Sequence, residues 1–146
     1  EAYSPARRGG IREVPPAPPT AAWLASAPRG VVLELPWNAP RESALYLYWS
    51  IGHWQPMVNG FGSFDPPGQA GIGLLGNRWP TVYSAGEFRR LGVRYVVVHV
   101  EMLRPAHRTR LLATAELPAG VRLVFAAGPH RIYEIDPLPG QPPASG

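Results

Sequence analysis

The chain has no cysteine and no lysine among its 146 residues, and charged side chains fill only 16% of positions. Without cysteine there is neither a disulfide scaffold nor a thiolate metal site. Without lysine all 14 basic residues are arginine, which GC-rich coding explains without any call on phosphate recognition. No stretch approaches the roughly 18 apolar residues of a membrane helix, and no secretory leader pattern is visible. The four histidines, His53, His99, His107 and His130, share no ligand spacing, so neither a metal nor another cofactor is expected. There is no G-x-S-x-G elbow. Ser63 lies in Gly-Phe-Gly-Ser-Phe-Asp without a strand-turn-helix around it. Gly71-Ile72-Gly73-Leu74-Leu75-Gly76 spells G-x-G-x-x-G, but its flanks Asp65-Pro66-Pro67 and Asn77-Arg78-Trp79-Pro80 supply neither the feeding strand nor the departing helix. It reads as a coincidence in a loop.

What is present is a globular composition, 45% hydrophobic, with room for one real core. The net charge of +4 favours anionic partners weakly, anionic lipid among them. The arginines are scattered, with only Arg7-Arg8 and Arg89-Arg90 adjacent, so no nucleic-acid stripe forms. Proline crowds both ends: Pro15, Pro16, Pro18 and Pro19 in front, Pro137, Pro139, Pro142 and Pro143 behind. Residues 1–17 therefore read as an extended tether, 18–136 as the folded domain and 137–146 as a disordered tail. The first residue is Glu1 rather than methionine, and we expect a part of a longer protein.

Local patterns predict the elements. Ile11 to Val14 is the only candidate strand in the tether. Thr20 caps a short helix through Ser26, with Pro28 stopping it. Val31 to Leu35 is a β-branched run ended by Pro36, a buried strand. Arg41 to Trp54 fits both periods, and its length favours helix. Met57-Val58 gives a short strand into an Asn59-Gly60 turn. Residues 61–80 are loop-rich, with a helical turn near Leu74. Ser84-Ala85-Gly86-Glu87 opens a helix as a capping box, and Gly92 suits its left-handed stop. Val93 to Val100 is apolar on both faces, as in a central parallel strand. Pro105 starts a helix running to about Glu116. Val121–Phe125 and Arg131–Ile135 alternate around Gly128-Pro129 as an antiparallel hairpin. The expected fold is a single compact α/β domain whose mixed, mostly parallel sheet is flanked by helices and ends in that hairpin.

The densest signal is Tyr46 to Pro67, YLYWSIGHWQPMVNGFGSFDPP, with four aromatic rings between Tyr46 and Trp54. Each buried ring is worth roughly 2–3 kcal/mol, so the block is expected inside the fold. Trp54 offers a flat face that stacks on a sugar ring, and His53, Asn59 and Asp65 could hydrogen-bond its hydroxyls. The alternative is that His53 and Asn59 satisfy backbone groups at a tight turn. A histidine-carboxylate pair is also open, His99 or His53 with Glu34, and Glu34 and His99 lie on strands that a right-handed crossover could set side by side. Otherwise Glu34 pairs with a nearby arginine.

Three pieces together carry a family resemblance: PPAPPTAAWLASAPRGVVLELP, the aromatic block, and LGVRYVVVHVEML. Over about residues 14–136 the chain resembles the C-terminal extracytoplasmic domain of bacterial polytopic membrane glycosyltransferases of the GT-C type and their uncharacterised relatives. In that family the transmembrane helices come first and carry the reaction, with a lipid-linked phosphosugar as donor and a carboxylate in an early extracytoplasmic loop. Nothing here corresponds to that loop. The resemblance thus implies a non-catalytic accessory domain on the outer face of the cytoplasmic membrane. Its expected partners are the transmembrane part of the same polypeptide and a saccharide or lipid-linked sugar. Two rivals remain: a binding module with no transferase attached, and a small hydrolase using His53 or His99.

Overall fold

A computed structural model describes residues 14–37, 40–59 and 69–140. Helix α1 (Pro19–Ser26) leads into strand β1 (Val31–Leu35), followed by α2 (Pro40–Ser50), α3 (Gln69–Gly76), α4 (Val82–Arg90) and β2 (Val93–His99). A 3-10 turn (Val100–Met102), α5 (Pro105–Ala113) and the hairpin β3 (Val121–Ala127) and β4 (His130–Ile135) complete the domain. The sheet order is β1-β2-β4-β3. Only β1 and β2 run parallel, while β4 is antiparallel to both β2 and β3. The α/β class, the mixed sheet and the closing hairpin are as expected. The sheet is not mostly parallel, because the hairpin supplies half of the strands and docks beside β2.

Several local expectations shift. Thr20 is not the cap of α1: Pro18 occupies that position, Pro19 starts the helix with its preset φ, and Thr20 is buried within it. The capping box of α4 lies one turn earlier than expected. Thr81 Oγ1 accepts from the Ser84 backbone N–H while Ser84 Oγ accepts from that of Thr81. Met57 makes only an isolated parallel bridge to Val32. The candidate strand Ile11–Val14 lies outside the described residues except for Val14. Pro15, assigned to a loose tether, accepts a hydrogen bond from the Trp49 indole at 3.0 Å.

Gly71 to Gly76 is helical rather than a loop. The reason is packing. A Cβ on Gly76 would stand 2.8 Å from Leu35 Cδ2, and one on Gly73 would stand 3.0 Å from Trp37 Cδ1. The glycines let α3 press onto the end of β1, which offsets their poor helix propensity.

Side-chain alternation divides the core into two faces. Leu33, Leu35, Val96, Val98, Tyr133 and Ile135 pack with Trp79, Phe88 of α4 and Leu111 of α5 in the larger cluster. Val32, Tyr95, Val97 and Ile132 meet Leu24 and Trp23 of α1 on the other side. That second face continues, at the carboxyl ends of β1 and β2, into Glu34 and His99.

Candidate functional site

Strand alternation places the site. Glu34 shares its face with Val32, two residues back. His99 follows Tyr95 and Val97, and His130 precedes Ile132. His99 and His130 stand directly opposite each other in the antiparallel ladder. Glu34 pairs in register with Val97 and reaches one step further along β2. Its Oε1 lies 2.9 Å from His99 Nε2, and His99 Nδ1 lies 2.9 Å from His130 Nδ1. The result is an unbroken chain, Glu34–His99–His130, crossing three strands.

Helix α2 closes over it. Tyr46 stacks on the His99 ring at 5.5 Å between centroids and 18° between planes, and Trp49 packs against the same ring at 5.4 Å. The Tyr46 hydroxyl donates to the Pro36 carbonyl at 2.9 Å, which fixes the ring. Consequently Glu34 is 3% and His99 1% exposed, whereas His130 is only half-buried. Burial pushes the Glu34 carboxyl above its ordinary range, and the hydrogen bond and charge of His99 pull it partly back. Burial, then the neighbouring His99, holds His130 below the ordinary histidine value, with Glu101 acting against them. The second Glu34 oxygen, Oε2, is buried with no hydrogen-bond partner. Glu34 therefore pairs with a histidine and not with an arginine.

The polar residues of the aromatic block turn inward. Asn59 Oδ1 accepts from the Glu34 backbone N–H at 2.7 Å, and its Nδ2 donates to the Glu34 carbonyl at 2.9 Å. Next to it, Val32 N–H donates to the Pro56 carbonyl and Val58 N–H to the Val32 carbonyl. Residues 56–59 thus seal the outer edge of β1, with an amide side chain standing in for one more strand residue. His53 Nδ1 accepts from the Gln55 backbone N–H at 3.0 Å, and burial lowers its pKa. Gln55 in turn binds Gly30 N–H and the carbonyls of Leu24 and Ala27. These contacts are the backbone-satisfying alternative for His53 and Asn59.

The rings divide. Tyr46 and Trp49 are buried, but Tyr48 is 55% and Trp54 76% exposed. Ile51 and Val14 are also exposed, and with Pro15 and Tyr48 they help to line a shallow hollow that does not include Trp54. Trp54 also has φ = +55° and is the only positive-φ residue other than glycine among the described residues. Its N–H donates to the Ser50 carbonyl at 2.8 Å, so it closes the turn after α2 in the left-handed region. That conformation costs a bulky side chain about 1–3 kcal/mol.

The structure therefore does not gather the four sequence-predicted site residues. Trp54 faces out, His53 and Asn59 face in, and Asp65 lies outside the described residues. What sequence reasoning missed is His130 as the third link. No local signal marks it, because only the register of the hairpin against β2 sets His130 opposite His99. Among the described residues no group of three or more His, Asp or Glu side chains is placed to hold a metal ion. A groove of about 530 Å³ lies between α3 and α4, lined by Ile72, Leu75, Arg78 and Arg90 among others. No protein-family model, curated protein or solved structure matches the chain.

Proposed function

We propose that the chain is a non-catalytic extracytoplasmic accessory domain of a membrane glycosyltransferase-like protein, presenting Trp54 toward the saccharide side of the transferase. The observation that carries this reading is the exposed Trp54 in a left-handed backbone. A glycine would close that turn at no steric cost. An indole held exposed there at a cost in stability suits recognition better than packing. The resemblance of the sequence to the outer domains of GT-C enzymes supplies the membrane context. No described helix is long and apolar enough to cross a membrane, so in this reading the spans belong to another part of the same polypeptide.

The hydrolase alternative gains less support. His99 does meet a carboxylate, but Tyr46 and Trp49 cover the pair, and His53 faces a backbone amide. A free-standing binding module shares the Trp54 face and differs only in what is attached.

The test uses the full-length, membrane-embedded protein. Trp54→Gly should lower sugar transfer while the protein stays folded and inserted, and Tyr48→Ser should act in the same direction. Undiminished transfer in both would end the accessory reading. Saccharide binding by the isolated chain that Trp54→Gly abolishes, with no transferase activity in the full-length protein, would select the free-standing module.

A further inference from the structure

The Glu34–His99–His130 chain has a property that the proposed function does not use. Each of its two 2.9 Å gaps admits one hydrogen and no more, since a second would set two donors head to head. With one hydrogen in each gap and one on the outward Nε2 of His130, the chain is neutral overall. That proton arrangement is mobile along the line. The carboxyl can hold the proton, or His99 can as an imidazolium beside a carboxylate, or His130 can at the rim. No heavy atom has to move.

A further proton has nowhere to go inside. Glu34 Oε2 is buried and has no partner to which a new O–H could donate. A second hydrogen between Glu34 and His99 would be trapped under Tyr46 and Trp49. The gap between His99 and His130 is the one whose outer partner reaches water. Among the described residues, the charged and titratable groups shown against the chain are Glu101 from the 3-10 turn, which draws a proton toward His130, and Tyr46 from α2. Arg131, next in sequence to His130, lies with its guanidinium near the Tyr133 hydroxyl on the opposite face.

We propose that Glu34, His99 and His130 form a proton-operated latch, closed while the three residues share one hydrogen per link and opened at His99–His130 by uptake of one more. The proton comes from solvent and enters at His130. Opening frees the imidazole to turn outward and weakens the end of the β2–β4 ladder, where beyond the Val98–Arg131 pair the hairpin turn is tied to β2 by the Val100 N–H to Pro129 carbonyl bond. The site thus takes a hydrogen ion as its ligand and answers with looser docking of the β3–β4 hairpin.

The test is a titration of the ¹⁵N-histidine-labelled chain by NMR, with amide hydrogen exchange recorded on the same samples. His130 should titrate in a step below the free-histidine value of about 6.5, and the His99 ring nitrogens should report loss of the shared hydrogen in that same step. Protection at Val100 and Arg131, corrected for the intrinsic rate, should fall about tenfold or more across that step. His130→Gln, altered at the half-buried end of the chain, should remove the step in both readouts. Should that variant fail to fold, the wild-type titration decides alone. Independent titration of the two histidines, or coupled titration with unchanged protection, would overturn the latch.

Discussion

The inner and outer halves of the aromatic block lie within nine residues of each other and do opposite things. Tyr46 and Trp49, one helical turn apart, clamp the His99 ring. Tyr48 and Trp54 stand in solvent at 55% and 76% exposure. The polar residues face inward too, for His53 accepts from the Gln55 backbone N–H while Gln55 and Asn59 are occupied with backbone groups of α1 and β1. A dense aromatic segment is therefore not one unit. Helical phase sends part of it into the core, and the remainder stays in solvent.

This contrast can be broken by substitution, and the largest effect belongs to the inner half. Tyr46→Ala should cost about 3–5 kcal/mol, through the cavity beside His99 and the lost hydrogen bond to Pro36. Urea unfolding would measure it, and a loss below about 1 kcal/mol would mean the clamp is not structural. Asn59→Ala should cost about 1–3 kcal/mol, because it strands a buried N–H and C=O of Glu34 at the sheet edge. In the outer half the sign reverses. Trp54→Gly removes about 1–3 kcal/mol of backbone strain and adds about 0.5–1 kcal/mol of chain entropy cost, a net gain centred near about 1 kcal/mol within a range of roughly 0–2.5 kcal/mol. Tyr48→Ser should stay within about 0.5 kcal/mol of wild type.

The pH dependence sharpens the inner half further. His53, His107 and His130 are all held below the ordinary value of 6.5, chiefly by burial. In the window below that value the unfolded chain binds more protons than the folded one, so stability falls as pH drops. Glu34 works the other way. Its folded carboxyl is raised above 4.5, so its contribution is present below that value and is lost as pH rises through the raised one. In a Glu34→Gln background, where the three histidines act without the opposing carboxyl, urea midpoints should be lower at pH 5.5 than at pH 7.5. Equal midpoints would show that the imidazoles are not desolvated in the folded state.

Much of this architecture was legible in the chain. β-branched runs bounded by proline and glycine located β1, β2 and the hairpin, since strand propensity and turn chemistry are local. The pairing of Glu34 with His99 was visible as one of two options, because adjacent parallel strands bring their carboxyl ends together. The direction of each ring was not. Tyr48 and Tyr46 have the same composition and neighbourhood, and only the docking of α2 on His99 tells them apart. Nor was α3, where Gly73 and Gly76 weaken the helix locally and make sense only once Trp37 and Leu35 are seen against them. The third link, His130, required the hairpin register, which is a long-range fact.

One pair of unfolding curves tests the division of the block most directly: Asn59→Ala and Trp54→Gly, each against wild type in the same buffer. The inward brace predicts a lower midpoint for the asparagine variant, and the outward, strained indole predicts a higher one for the tryptophan variant. Two shifts of the same sign would contradict it.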